Sequence, residues 1–239
     1  MDDSDPFAAP HRQATPTRPL LGLTILVVED SRYACDAMRL LCLRSGARIR
    51  RADSLRSARR HLQVYRPSVI VIDLGLPDGS GAELIEELAQ TTPRVSVILG
   101  TSGDDFAEGA AIAAGADGFL PKPVTSVAVF QSAILSQLPA DRQPGGPRVV
   151  QDEQIYPDPL AYRDDMAHVA EVLTEHTEDK VLDYVAQFLG GVARSAQDTI
   201  LEQAATDLAD ARAEGRPVTS NTARIAGLVQ QRLHAREAI

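Results

Sequence analysis

Nowhere in its 239 residues does the chain hold an apolar run approaching the ~20 residues that a membrane-spanning helix needs. The first 20 residues also lack a basic segment followed by an apolar stretch and a small-residue cleavage site, so no export signal is read there. A cytoplasmic protein with no membrane partner is expected. Cysteine is scarce. The only two, Cys35 and Cys42, lie on one predicted helix about 10 Å apart along its axis, too far for a disulfide unless that helix unwinds. Both are read as buried thiols. Internal repeats and low-complexity tracts are absent as well.

Positive charge is in short supply in one half of the chain. Residues 1–140 carry 14 Lys and Arg against 16 Asp and Glu, whereas residues 141–239 carry 10 against 17, within a net charge of -9. A surface that grips the DNA backbone presents clustered cations, so DNA is not expected as a partner of the acidic second half. With 44% hydrophobic and 24% charged residues, either half can bury a core of its own, and two domains are expected.

What is present is alternation. Short apolar runs at Leu23–Val28, Ala47–Ala52, Ser68–Ile72, Arg94–Leu99 and Gly118–Leu120 are separated by helical patterns at about 32–44, 54–65, 80–90, 104–114 and 125–137. Ser54, Ser80 and Thr125 stand where caps belong. Several runs are almost continuous Val, Ile and Leu, as strands covered on both faces must be. Arg48-Ile49-Arg50-Arg51 is polar and fits an edge strand. The pattern predicts an α/β domain at 21–138, with a doubly wound five-stranded parallel sheet, following a mobile tail at 1–20.

Prolines and glycines crowd residues 139–159, read as a linker. Beyond it, residues 160–239 read as a small all-α module, with Val181, Val185, Phe188, Leu189 and Val192 at helical spacing. A last helix starting at Thr219 or Ser220 would place Ile225, Leu228, Val229 and Leu233 on one face.

Ligands of such a sheet bind beyond the carboxyl ends of the strands. Glu29-Asp30 follow the first strand, Asp73 the third, Thr101-Ser102 the fourth and Lys122-Pro123 the fifth. Three carboxylates brought together raise one another's pKa values and call for a cation. Mg²⁺, with its preference for carboxylate, water and phosphate oxygens, is the cation expected. Asp73 can then act as a nucleophile toward phosphorus, Lys122 supplying opposite charge and Thr101 a hydroxyl for a phosphoryl oxygen.

Glu29-Asp30, Asp73-Leu74-Gly75-Leu76-Pro77 with Gly81, Gly100-Thr101-Ser102 and Gly118-Phe119-Leu120-Pro121-Lys122-Pro123 together resemble the receiver domains of two-component response regulators, over roughly residues 22–138. The resemblance implies a flavodoxin-like fold with Asp73 as phosphoacceptor. It further implies Asp30 and Asp73 as Mg²⁺ ligands, Glu29 reaching the metal through water, and the Gly75 carbonyl as another ligand. Thr101 would be the switch hydroxyl, Phe119 the switch aromatic and Lys122 the phosphate partner, with a cis Lys122-Pro123 bond. A sensor histidine kinase or phosphotransfer protein is the implied donor.

Departures from the commonest pattern are Glu29 in place of Asp, Phe119 in place of Tyr, and Gly75, which puts no side chain over the phosphoryl group and leaves access for water. The only catalysis expected is the transfer of phosphate to Asp73 and its loss. The helical module is expected to act through interaction, its surplus apolar stripes covered by a partner, and a homodimer is expected through this module or through the receiver face. One alternative is a DNA-binding transcriptional output built on Gly215-Arg216-Pro217 and the helix bearing Arg224, Arg232 and Arg236. Another is a degenerate phosphotransfer module using His168, His176 or His234. All three histidines lack the usual surroundings and are read as ordinary surface residues. Nine arginines between Arg39 and Arg66 form either a docking surface for an acidic partner, the helical module included, or a solvated face. No motif for cyclic dinucleotide chemistry, ATP hydrolysis or methylester hydrolysis is found in 140–239.

Overall fold

The computed structural model describes residues 14–104, 106–139, 142–145, 153–175 and 179–235. Its first domain runs β1 (Thr24–Val28), α1 (Arg32–Ser45), β2 (Arg48–Ala52), α2 (Leu55–Val64), β3 (Val69–Asp73), β4 (Gly75–Leu76), β5 (Gly79–Ser80), α3 (Gly81–Gln90), β6 (Val97–Ser102), α4 (Ala107–Ala113), β7 (Gly118–Pro121) and α5 (Val127–Leu135). Four further helices follow: α6 (Pro159–Glu175), α7 (Asp179–Ser195), α8 (Thr199–Ala213) and α9 (Thr219–His234).

The sheet is parallel throughout, in the order β2-β1-β3-β6-β7, the doubly wound arrangement expected from the sequence. Successive residues of β1 divide between the layers: Ile25 and Val27 join α1 and α5, while Leu26 and Val28 join α2 and α3. Both faces are therefore apolar, which explains the unbroken Val/Ile/Leu runs. The polar β2 lies at one edge and pairs only with β1. At the other edge, β7 carries Pro121, whose missing N–H costs the ladder nothing there. The two-stranded β4–β5 hairpin was not foreseen, because two-residue strands leave no periodic signal.

Ser54 and Ser80 cap α2 and α3 as expected, accepting from the N–H groups of Ser57 and Ala82. At α5 the cap is Ser126, not Thr125: the Ser126 hydroxyl accepts from Val129 N–H, while the Thr125 carbonyl is taken by Ile155 N–H. The tail read at 1–20 falls outside the described residues as far as residue 13. Order reaches back beyond Leu21, since Thr15 and Arg18 exchange backbone hydrogen bonds and Leu20 is fully buried in the α1/α5 core. The linker's end is likewise fastened. Ile155 enters that same core, and Asp158 N–H donates to Asp36 Oδ2 at 3.0 Å.

Helices α6 to α9 share one core in which Met166, Val185, Leu189, Leu201, Leu208, Ile225 and Val229 meet. The apolar stripes thus cover one another. Among the described residues of these helices, only Leu160 and Ile200 remain as exposed large apolar side chains, so the surplus expected to need a partner is not there. The second domain does not dock on the arginine-rich region but on the N-terminus of α1. Asp165 of α6, 1% exposed, accepts from Ser31 Oγ at 2.7 Å, Arg32 N–H at 2.7 Å and Tyr33 N–H at 3.1 Å. Helix α1 has no acidic residue in its first turn, so Asp165 supplies from outside the negative charge its N-terminus favours. Tyr33 and Tyr162 add an edge contact at 5.9 Å.

Asp165→Ala is expected to cost about 1–3 kcal/mol of stability, since it leaves a buried hydroxyl and two half-buried N–H groups short of their acceptor. Urea denaturation measures this, and a loss below about 0.5 kcal/mol would mean that the contact contributes nothing.

Candidate functional site

The parallel register carries the strand ends to one edge of the sheet. Asp73 lies opposite Thr101, and Thr101 opposite Leu120, so the residues following each strand converge without help from long loops. Glu29, Asp73, Thr101 and Ser102 are all buried. Glu29, Asp30 and Asp73 each place a carboxylate oxygen within 4.8 Å of the others. Lys122 Nζ lies 2.9 Å from Asp73 Oδ2 and 2.7 Å from Glu29 Oε2. The second contact is an ion pair by distance only, and Glu29 Oε2 has no hydrogen-bonding partner among the described residues.

Backbone completes the frame. Gly75 N–H donates to Asp73 Oδ1 at 3.3 Å, and Gly75 opens the β4–β5 hairpin. Gly81 allows the start of α3 to pass against Asp73, whose carbonyl oxygen occupies the space a Cβ would need. The Lys122-Pro123 bond is cis. Thr101 Oγ1 donates to the Leu120 carbonyl at 2.7 Å, and the half-buried Phe119 ring packs over Gly100.

Electrostatics here is a contest between burial and pairing. Burial, reinforced by neighbouring carboxylates and opposed by Lys122, pushes Glu29 up to about 8. Asp30 rises to about 7 for the same reasons, with a hydrogen bond from Tyr184 opposing. Burial alone would lower Lys122, but the carboxylates of Asp73 and Glu29 outweigh it and hold the ammonium charged. A single ammonium for three carboxylates leaves an excess that a proton or a cation must relieve. The all-oxygen donor set, with more carboxylate than ammonium, suits a hard divalent cation.

The second domain reaches this edge, which sequence reasoning missed. Helix α7 crosses three strand-end loops: Tyr184 OH donates to Asp30 Oδ2 at 2.7 Å, the Gln187 carboxamide lies over Gly75, and Gly191 passes Gly103. The only hint in the sequence was Gly190-Gly191 inside a helical pattern, where glycine costs about 1 kcal/mol each and signals a close approach. His168 is exposed, with Nε2 3.3 Å from Tyr184 OH. His234 is exposed at the end of α9, and His176 lies outside the described residues. Burial pushes the thiols of Cys35 and Cys42 up to about 12, in keeping with inert core positions.

Carboxyls whose folded pKa is raised favour the protonated form in the folded state. Their contribution to stability is present at low pH and is lost as pH rises toward 7–8. In buffer free of divalent cations, the melting temperature of Glu29→Gln should therefore gain on that of wild type between pH 5.5 and pH 8.5. Parallel curves across that range would disprove the raised carboxyl.

Comparison with known proteins places these features in a family. Residues 25–134 match the response regulator receiver domain. The KDP operon transcriptional regulatory protein KdpE of Escherichia coli (strain K12) is 33% identical over 99 residues, 41% of this chain and 44% of KdpE. The probable transcriptional regulatory protein TcrX of Mycobacterium tuberculosis (strain ATCC 25618 / H37Rv) is 31% identical over 102 residues, 42% of this chain and 44% of TcrX. The matched stretch thus spans less than half of either relative. Among solved structures, the receiver domain of a signal transduction histidine kinase from Syntrophus aciditrophicus aligns with TM-score 0.45 and 22% identity, covering 54% of this chain and 99% of that one. No helix among the described residues is long and apolar enough to cross a membrane. Over residues 25–134, the first domain, the chain matches a response regulator receiver domain.

Proposed function

We propose that Asp73 accepts a phosphoryl group from a sensor histidine kinase or phosphotransfer protein, and that the α6–α9 domain docked over the strand ends reads the result. The observation that carries this is the placement of Asp73 between Lys122 and the Glu29/Asp30 pair, at the edge α7 crosses. An Asp73 oxygen attacks phosphorus as the P–N bond to the donor imidazole breaks, so little is asked of the protein beyond alignment and charge neutralisation. Lys122 offsets charge on the transferred group. Asp30, Asp73, Glu29 and the Gly75 carbonyl are the groups that would hold Mg²⁺, whose chemistry is to neutralise phosphoryl oxygens.

Thr101 is the proposed switch. Its hydroxyl bonds the Leu120 carbonyl, and a phosphoryl oxygen on Asp73 offers a stronger, charged acceptor. Leaving Leu120 frees the neighbouring Phe119 to move. Tyr184 bonds a proposed metal ligand, so metal and phosphoryl binding compete with the docking of α7. The equilibrium between docked and released helices is the proposed output, and a homodimer through the edge that release uncovers is its expected consequence.

A DNA-binding output is the second reading, favoured by relatives described as transcriptional regulators, which are at odds with the expectation that DNA is not a partner. Against it, four arginines among the described residues of the helical domain pair with neighbouring acids, Arg194 with Glu202, Arg212 with Asp183, Arg224 with Asp207 and Arg232 with Asp198, while Arg236 lies outside the described residues. Little of their charge is left for phosphates.

Incubation with acetyl phosphate and Mg²⁺ should label wild type and leave Asp73→Asn and chelator-treated protein unlabelled. Light scattering on the same samples should show the mass doubling with label. Labelling without a mass change would keep the phosphoacceptor and discard the homodimer. Absence of DNA retention at low salt by the phosphorylated protein is also expected, and salt-sensitive retention would establish the second reading instead.

A further inference from the structure

We propose that Gln187, contributed by the chain's own helical domain, orients the water that removes the phosphoryl group from Asp73, making this response regulator its own phosphatase. The inference rests on Asp73 being the phosphoacceptor. Gln187 stands one turn beyond Tyr184 on α7, and Gly191 one turn further on the same stripe. In the docked arrangement Tyr184 is bonded to Asp30 and Gly191 lies against Gly103, so the helix between them is held at both ends over the strand edge, and the hydrolysis proposed here draws on the docked fraction of the phosphorylated chain.

At that point the receiver offers an opening. Gly75 has no side chain, and the Gln187 carboxamide fills the place one would take: a Cβ built on Gly75 would lie 2.5 Å from Gln187 Cδ and 3.0 Å from Oε1. Gly75 itself donates to Asp73 Oδ1, so the carboxamide stands over the residue that bonds the phosphoacceptor, whose Oδ2 is taken by Lys122. A cavity of about 500 Å³ lies between the domains, lined by Asp73, Gly75, Lys122 and Gln187 among others. It has room for a phosphoryl group and several waters, each needing about 30 Å³. Gln187 is exposed, and its amide makes no hydrogen bond among the described residues.

A carboxamide accepts and donates at once, so Oε1 can accept from an attacking water while Nε2 donates to a phosphoryl oxygen. The water oxygen forms a bond to phosphorus as the bond from phosphorus to the Asp73 oxygen breaks. Of the water's two protons one stays on the phosphate and the other passes to solvent, so the products are the Asp73 carboxylate, hydrogen phosphate and a released proton. A carboxylate is a good leaving group and needs no acid. The task is positioning, for which a glutamine also serves in GTP hydrolysis.

The test follows loss of label from Asp73 in the full chain after acetyl phosphate is removed, for wild type, Gln187→Ala and Gln187→Leu. Leucine keeps the bulk over Gly75 and lacks the amide. Both variants should take up label and lose it about 10-fold more slowly than wild type, with unchanged melting temperatures. If Gln187→Leu decays like wild type while Gln187→Ala decays faster, the side chain is only a cover and the proposal fails. Unchanged decay in both variants also overturns it. Wild type that takes up no label would instead refute Asp73 as the phosphoacceptor, and the inference with it.

Discussion

The organisation of this molecule depends on an imbalance of charge at one edge of the sheet. Glu29, Asp30 and Asp73 are forced together because parallel strands deliver their ends to the same place, and Lys122 is the cation set among them. The sequence holds only two lysines, and one of them is spent here. Burial magnifies the mismatch, since solvent can no longer screen it. Such a site holds in reserve an affinity for whatever positive charge or proton arrives. Everything near it inherits that sensitivity.

Helices α6 to α9 are among those neighbours. They share a core of their own, yet touch the first domain through a few polar groups, chiefly Asp165 and Tyr184, rather than through a broad apolar face. Polar contacts of this kind specify position strongly, and they weaken sharply when one partner changes its charge or its company. The two domains thus meet at the carboxylate edge itself, with no long path through the sheet between them.

Much of this was legible in the sequence, for identifiable reasons. Buried strands such as Val69–Asp73 carry a composition that a two-sided environment imposes, and the residues after them inherit positions from the parallel topology. Glu29, Asp30, Asp73, Thr101 and Lys122 could therefore be brought together on paper. Asp165, Tyr184 and Gln187 could not. Their roles arise from contacts spanning over a hundred residues, and each looks like an ordinary polar position on an amphipathic helix. Thr125 misled because an adjacent Ser126 offers the same chemistry, and the returning linker decided between them. The apolar stripes of the helical domain advertised burial without saying against what. They found one another.

The bond between Ser31 and Asp165 spans 134 residues. During synthesis the N-terminus of α1 leaves the ribosome well before the carboxylate that completes it, at roughly 5–20 residues per second. For several seconds the α/β domain must hold together with that helix end capped by Ser31 and otherwise satisfied by water. Its maturation then waits on the arrival of α6, so the two domains share a schedule of folding as well as a surface. A nascent chain in that interval has its acidic edge open to solvent, and it acquires its cover only when the helical domain has been made.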